Sequence, residues 1–393
     1  MKNKIAILSH VLPPSSNGQA IMLYRLLEKT PKQDYILILS RKYLGREKEP
    51  RSSKKLAGKY YTLEIPKETE LTIREYMKKS LYRRAVSFIS TVRTQTKQLK
   101  SILISEKCET LVACTGGFFD LFAAYLAVRK LKIRFVIYSF DDYVYQWTGI
   151  LRVMVRMIAK RAFKRADQLI APNEFLQKAY FSRYGKKSVI VRNPYIPFRI
   201  SKQKKVFNKK EINIVYTGSV YFAHFDAFRN LIKAIELLDM PAKLHIFTGQ
   251  PKQKLEKEGI SGRQVIFHKN VDQSETCNVQ KQADILFLPL AFDSPIGETI
   301  KTSAPGKMGE YLSSGRPILV HAPKNSYISW YFKKNKCGVV ADTPDPKQLA
   351  EAIAEMIKNK SKSKEFIRNA IRRAKSDFSL EKARKNFSSV ISE

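Results

Sequence analysis

Short apolar runs bounded by turn residues alternate with longer amphipathic segments along the chain, and this alternation is what most constrains its fold. A run of four to six apolar residues is too short for a buried helix and suits a strand covered on both faces. Regular alternation of such strands with helices specifies a parallel sheet flanked by helices. In the first half, strands are predicted at 5–8, 35–39, 110–114, 134–138, 168–171 and 188–192, with helices at 19–28, 74–100, 121–131 and 151–166. A polar, basic stretch at 199–210 (RISKQKKVFNKK) has no periodic apolar face and is expected to be an exposed linker. A second series follows, with strands at 212–216, 243–247, 264–268, 285–289 and 317–321 and helices at 227–238, 274–282, 306–313 and 346–358. The 393 residues suit two domains of ordinary size. The expected fold class is α/β, two Rossmann-like doubly wound domains facing across a cleft, with domains at 1–198 and 212–365 and a linker at 199–211.

Charge speaks to partners rather than fold. Lys and Arg number 72 against 35 Asp and Glu, a formal net charge of +37 that would attract phosphodiester polymers, anionic bilayers and pyrophosphate-bearing small molecules alike. Four cysteines lie far apart with no CxxC pair, which suits reduced thiols rather than a zinc site or a disulfide scaffold. The apolar run after the basic N-terminus spans only residues 5–8, too short for a signal peptide, and no stretch reaches the roughly 18 apolar residues of a membrane span. The expectation is a cytoplasmic protein whose membrane contact, if any, is peripheral.

Three segments are placed to carry chemistry. The loop at 13–20 (PPSSNGQA) links the first strand to the first helix, where Gly18 lets the backbone approach a phosphate or sugar oxygen; a plain strand-to-helix turn is the alternative. The segment 216–219 (YTGS) repeats that geometry in the second series, with Gly218 and Ser219 at the turn. In 303–319 (SAPGKMGEYLSSGRPIL), Pro305 and Gly306 are expected to start a helix carrying Lys307 and Glu310 on one face, which Gly315 closes. A cation there suits a diphosphate and a carboxylate one turn on suits ribose hydroxyls, whereas an exposed ion pair is the plain alternative.

These fragments, with RADQLIAPNEFLQKAYFSRYGKKSVIVRNP (165–194), VYTGSVYFAHFDAFRNLIKAIELL (215–238), ADILFLPL (283–290), GKMGEYLSSGRPI (306–318) and DFSLEKA (377–383), resemble in order the group 1 (GT4-like) glycosyltransferases of GT-B fold. The resemblance implies that Glu310 binds the donor ribose and Lys307 its diphosphate, that Gly218 and Ser219 lie beside the transferred sugar or phosphate, and that the C-terminal segment 366–393 crosses back to the first domain. Many members carry a second glutamate eight positions before the ribose-binding one; here that position is Thr302, and Glu298 is the carboxylate that could reach the sugar instead. Members also often show an Arg and a Lys soon after the YTG-like turn, where this chain has Tyr221, His224 and Asp226, with Arg229 the nearest cation. The activity implied is sugar transfer from a nucleoside-diphosphate sugar to a hydroxyl of a glycan or lipid-linked acceptor, with retention, in cell-surface polysaccharide or glycolipid synthesis. The nucleotide sugar is then a co-substrate; no cofactor and no metal are implied.

On the acceptor side, Asp141 and Asp142 follow a predicted strand, and their mutual repulsion could raise one pKa for proton handling, a solvated capping pair being the alternative. His10 and His224 rank below them. Basic residues cluster beside apolar stripes on two helices: Lys78, Lys79, Arg83 and Arg84 beside Met77, Leu81, Ala85, Phe88 and Val92, and Arg152, Arg156, Lys160 and Lys164 beside Leu151, Val155, Ile158 and Ala162. Such helices suit an anionic membrane surface, and their apolar sides equally suit a core. The rivals are a basic nucleic-acid-binding protein, although no nucleic-acid module is present, and a degenerate GT-B protein or nucleotide-sugar epimerase.

Overall fold

The computed structural model describes residues 4–15, 17–40, 55–65, 80–197, 206–208, 210–271 and 273–392. The chain divides into two compact units, residues 1–192 with 383–393, and residues 193–382.

The first unit runs β1 (Ile5–Ser9), α1 (Gly18–Leu27), β2 (Tyr35–Ser40), β3 (Lys59–Leu63), α2 (Leu81–Ser105), β4 (Thr110–Cys114), α3 (Asp120–Val128), β5 (Arg134–Tyr138), α4 (Gly149–Arg165), β6 (Gln168–Ala171), α5 (Glu174–Tyr184) and β7 (Ser188–Ile190). Its strands pair in the order β3-β2-β1-β4-β5-β6-β7, every described pairing being parallel. The wholly buried strands β1 and β4 come from uninterrupted apolar runs. β3 (KYYTL), absent from the sequence expectation, is a half-exposed edge strand that needs no such run. The helix expected at 74–100 is described from Leu81 and continues to Ser105; residues 74–79, with Met77, Lys78 and Lys79, lie outside the described residues.

The second unit runs β8 (Ile212–Thr217), α6 (Phe225–Glu236), β9 (Ala242–Phe247), α7 (Lys252–Lys257), β10 (Val265–His268), α8 (Gln273–Gln282), β11 (Ile285–Pro289), α9 (Gly297–Thr302), α10 (Met308–Ser313), β12 (Ile318–His321), α11 (Tyr327–Asn335), β13 (Val339–Ala341), α12 (Pro346–Lys358) and α13 (Lys360–Asp377). The sheet order β10-β9-β8-β11-β12-β13 is the doubly wound pattern, which reverses direction between β8 and β11 as the first sheet does between β1 and β4. Ligands of such sheets bind at the strand carboxyl ends beside that reversal.

The last helix, α14 (Leu380–Ser392), belongs to the first unit from Ala383 onward. Ala383, Phe387 and Val390 are buried with Met22, Leu23 and Leu26 of α1 in one core. Arg384 donates from Nε to the Arg25 carbonyl at 2.8 Å, and Asn386 donates to the Ile190 carbonyl at 2.9 Å. The segment expected to return, 366–393, is thus divided: α13 stays with the second unit and α14 completes the first. The division at 192/193 also precedes the basic stretch, of which residues 199–205 and 209 lie outside the described residues.

Candidate functional site

At the carboxyl end of β8 the chain must turn sharply. Gly218 does so with φ +118°, in the left-handed region that side chains avoid, and donates its N–H to the Phe247 carbonyl at 2.8 Å. A Cβ there would stand 3.1 Å from Lys307 Nζ, so the glycine and the ammonium share one space. Lys307 Nζ lies 3.7 Å from the centre of the Tyr216 ring, a cation on an aromatic face. Tyr216 is held in place because its hydroxyl donates to the Ser219 carbonyl at 2.5 Å, while the Tyr311 hydroxyl accepts from Thr217 N–H at 3.1 Å.

Lys307 does not lie within the helix expected to begin at Pro305. Met308 N–H bonds the Pro305 carbonyl and α10 starts at Met308, so Lys307 is the capping residue and Glu310 stands in the first turn. The Asn193 amide donates to the Gly306 carbonyl at 2.9 Å and ties this lead-in to the Asn-Pro pair at 193–194. Enclosure by protein lowers the Lys307 pKa to about 7, against the opposing pull of Glu310. Burial first, and then the Lys307 charge, drive the His224 imidazole well below its ordinary value, so it stands neutral beside the ammonium.

The remaining donor-side candidates disperse. Ser219 is exposed at the turn. Arg229 of α6 donates to the Glu258 carbonyl at 2.9 Å, and that carbonyl, not the Lys307 cluster, holds its guanidinium. Asp226 accepts from the N–H groups of Phe292 and Asp293 at 2.8 and 2.7 Å, which fastens the loop after β11. Glu298, expected on a loop, sits in the short helix α9 and forms an exposed ion pair with Lys301. Thr302 is buried, its hydroxyl donating to the Thr299 carbonyl at 3.3 Å.

In the first unit, Gly18 opens α1 behind the Asn17 cap, which accepts from Gln19 N–H; Gly18 has φ below zero and open space around it. The tight approach is instead at Gly116 and Gly117, at the end of β4, which the sequence reading passed over. Gly116 has φ +138°, and a Cβ would fall 2.2 Å from His10 Cε1; one on Gly117 would fall 2.1 Å from the Asp120 carboxylate. Two glycines directly after an apolar strand were the available signal. They bring His10, Gln19 and Asp120 together at the reversal between β1 and β4.

The two aspartates after β5 have different fates. Asp142, expected as a catalytic candidate, is wholly buried and fully engaged. Its Oδ2 accepts from Arg183 Nη1 at 2.6 Å, and its Oδ1 accepts from the N–H groups of Val144 and Tyr145 at 3.1 and 3.2 Å. It fastens the turn into α4. Asp141 reaches solvent, yet the surrounding protein and then the Asp142 charge push its carboxyl up to about 7.

The basic helices also differ from expectation. The apolar side of α4 with Leu151, Val155 and Ala162, and Val92 of α2, are buried core, so those stripes do not face a membrane. The exposed large apolar residues are Ile150, Val153 and Met157 on α4, beside exposed Arg156 and Lys160, and Tyr82, Val86 and Ile89 on α2, beside exposed Arg83, with Ile104 exposed near the end of α2. Arg152 is engaged, donating to the Trp147 carbonyl at 2.6 Å, and Arg84 is half-buried. Among the described residues no group of three or more His, Cys, Asp or Glu side chains could hold a metal ion, and no helix is long and apolar enough to cross a membrane.

The family described as "Glycosyl transferases group 1" matches residues 211–359. Sucrose-phosphate synthase from Thermosynechococcus elongatus is similar in structure with a TM-score of 0.73 at 14% identity, covering 99% of this chain and 98% of that one. An alpha,alpha-trehalose-phosphate synthase (UDP-forming) from Burkholderia xenovorans, solved in complex with glucose-6-phosphate, gives 0.69 at 12% identity over 99% and 100%. The Anabaena protein HepE, solved in complex with UDP, gives 0.65 at 12% identity over 99% of each chain. No curated protein matches the chain in sequence. The chain shares the fold of these structures, and residues 211–359, within its second unit, match the group 1 glycosyl transferase family.

Proposed function

We propose that the protein transfers a sugar from a nucleoside-diphosphate sugar to a hydroxyl of a glycan or lipid-linked acceptor, with retention, in polysaccharide or glycolipid synthesis at an anionic membrane surface. The observation that carries the donor assignment is the Lys307 ammonium held at the Gly218 turn on the face of Tyr216, with Glu310 one turn further along. A diphosphate entering this turn would restore the charge that enclosure of Lys307 disfavours, and that ammonium would offset the negative charge developing on the departing nucleoside diphosphate. Glu310 would accept hydrogen bonds from the ribose hydroxyls. The departing diphosphate can itself take the acceptor proton in such a transfer, with Asp141 the side chain of the first unit suited to receive or return one near neutral pH. The solved structures similar to this chain include a UDP-forming synthase and one holding UDP, which supports a nucleoside-diphosphate donor.

Membrane association is supported by the exposed Ile150, Val153 and Met157 beside Arg156 and Lys160, an arrangement that suits shallow insertion next to anionic headgroups. The test is nucleoside diphosphate release from a panel of UDP-, GDP-, ADP- and CMP-activated sugars, with membrane extract as acceptor and Glu310→Ala as the comparison. Release from one donor that the variant loses supports the function. If no donor is consumed and none protects the protein against thermal unfolding, the assignment is wrong. A donor that binds without turnover would instead mark a degenerate transferase, the outcome that Thr302, in place of the second glutamate, makes specific.

A further inference from the structure

A second concentration of positive charge lies away from the donor turn, on the first unit. Arg93, Thr96, Lys97 and Lys100 recur along one face of α2, and Leu126, Arg129 and Lys130 at the end of α3 form the opposite wall of a groove of about 470 Å³. Its lining contains five cations and no carboxylate. Among the described residues, none of the five forms an ion pair. Arg129 and Lys130 follow the last turn of α3 and partly offset its exposed carbonyls. Arg93, Lys97 and Lys100 have no such counterweight.

The groove is also remote from the strand carboxyl ends of its own sheet. The C-terminal half of α2 leads into the start of β4, and the end of α3 leads into the start of β5, so it lies toward the opposite edge from Gly116 and Asp141. From Arg93 to Lys100 the helix rises about 10 Å, a row longer than a single phosphate can bridge. Half-buried Leu126 gives the groove an apolar floor.

We propose that this groove is a second anion site, distinct from the donor turn, for a ligand bearing two or more phosphate groups. A multiply phosphorylated lipid headgroup and a free polyphosphate share that chemistry. The experiment uses full-length protein carrying Lys307→Met, so that the donor turn does not compete. Inorganic tripolyphosphate binding is measured by calorimetry, and flotation is measured with phosphatidylglycerol vesicles carrying a bisphosphorylated inositol lipid. Each is repeated with Lys97→Glu/Lys100→Glu and, as a control of equal charge, Lys360→Glu/Lys364→Glu on α13. Circular dichroism first shows that each variant is folded. A loss of tenfold or more confined to the groove pair supports the site, tripolyphosphate response identifying a free ligand and response of vesicles alone a headgroup. Equal losses in both pairs would reduce the effect to net charge and overturn the proposal, as would no loss in the groove pair or no binding of either probe.

Discussion

The ammonium of Lys307 rests 3.7 Å from the centre of the Tyr216 ring, in the space that a side chain at Gly218 would enter. Gly218→Ala therefore meets two penalties, a backbone at φ +118° and a Cβ 3.1 Å from Nζ. Lysine is flexible enough to move aside, and moving aside removes it from the turn. The expected result is a loss of about 1 kcal/mol in stability but a much larger fall in donor affinity. Thermal unfolding and donor titration on the same preparation separate the two.

Lys307 also sets a pH dependence. Its pKa is lowered from 10.5 to about 7 in the folded chain, so between those values the unfolded chain holds the extra proton. By linkage this group's contribution to stability rises with pH across that window. Lys307→Met removes the enclosed charge, so its advantage in Tm over the parent should be largest at pH 6.5 and shrink toward pH 9.5. Donor affinity of the parent should fall as pH rises above about 7, because the free protein then lacks the proton that the diphosphate needs on Lys307. Flat curves in both measurements would remove Lys307 from the donor site.

Glu310→Ala should weaken donor binding by roughly 1.5–3 kcal/mol, the usual size of a hydrogen bond to a charged group. Glu310→Gln should recover part of that loss, since an amide oxygen still accepts from ribose. Competition with the free nucleoside diphosphate provides the readout, independent of turnover.

Asp141 and Asp142 should separate cleanly. Asp142→Ala leaves Arg183 without its 2.6 Å partner and two N–H groups without an acceptor, with an expected cost of about 3–5 kcal/mol in denaturant unfolding. Asp141→Asn should not lower stability, and should raise it above pH 7 where the parent carboxylate opposes folding, while removing any limb of the rate profile near pH 7. If Asp141 handles the proton, turnover should fall about 10²–10⁴-fold. An unchanged profile would return Asp141 to a surface role.

Phe387→Ala tests the chain's return to the first unit. The ring is buried in the core that α14 shares with α1, and it lies 6.0 Å from the Tyr138 ring. Truncation should cost about 3–5 kcal/mol and lower the first unit's unfolding midpoint.

The sequence by itself determined the two sheets. Buried parallel strands must be apolar on both faces, so 110–114, 134–138, 168–171 and 285–289 declared themselves with the bounds the structure shows. The edge strands β3 and β13 carry no such requirement and left no comparable signal. Gly218, Lys307 and Glu310 were legible because their residue types and order resemble a family pattern. Only the tertiary structure decided what neighbours do: that Asp142 is spent on Arg183 and the turn, that Arg229 is held by Glu258, and that Gly116 closes on His10. It also decided which side of each basic helix is core, and that α13 and α14 part company. The physical reason is that burial and hydrogen bonding are set by groups brought in from distant parts of the chain, whereas a strand or a glycine turn is written in a few adjacent residues.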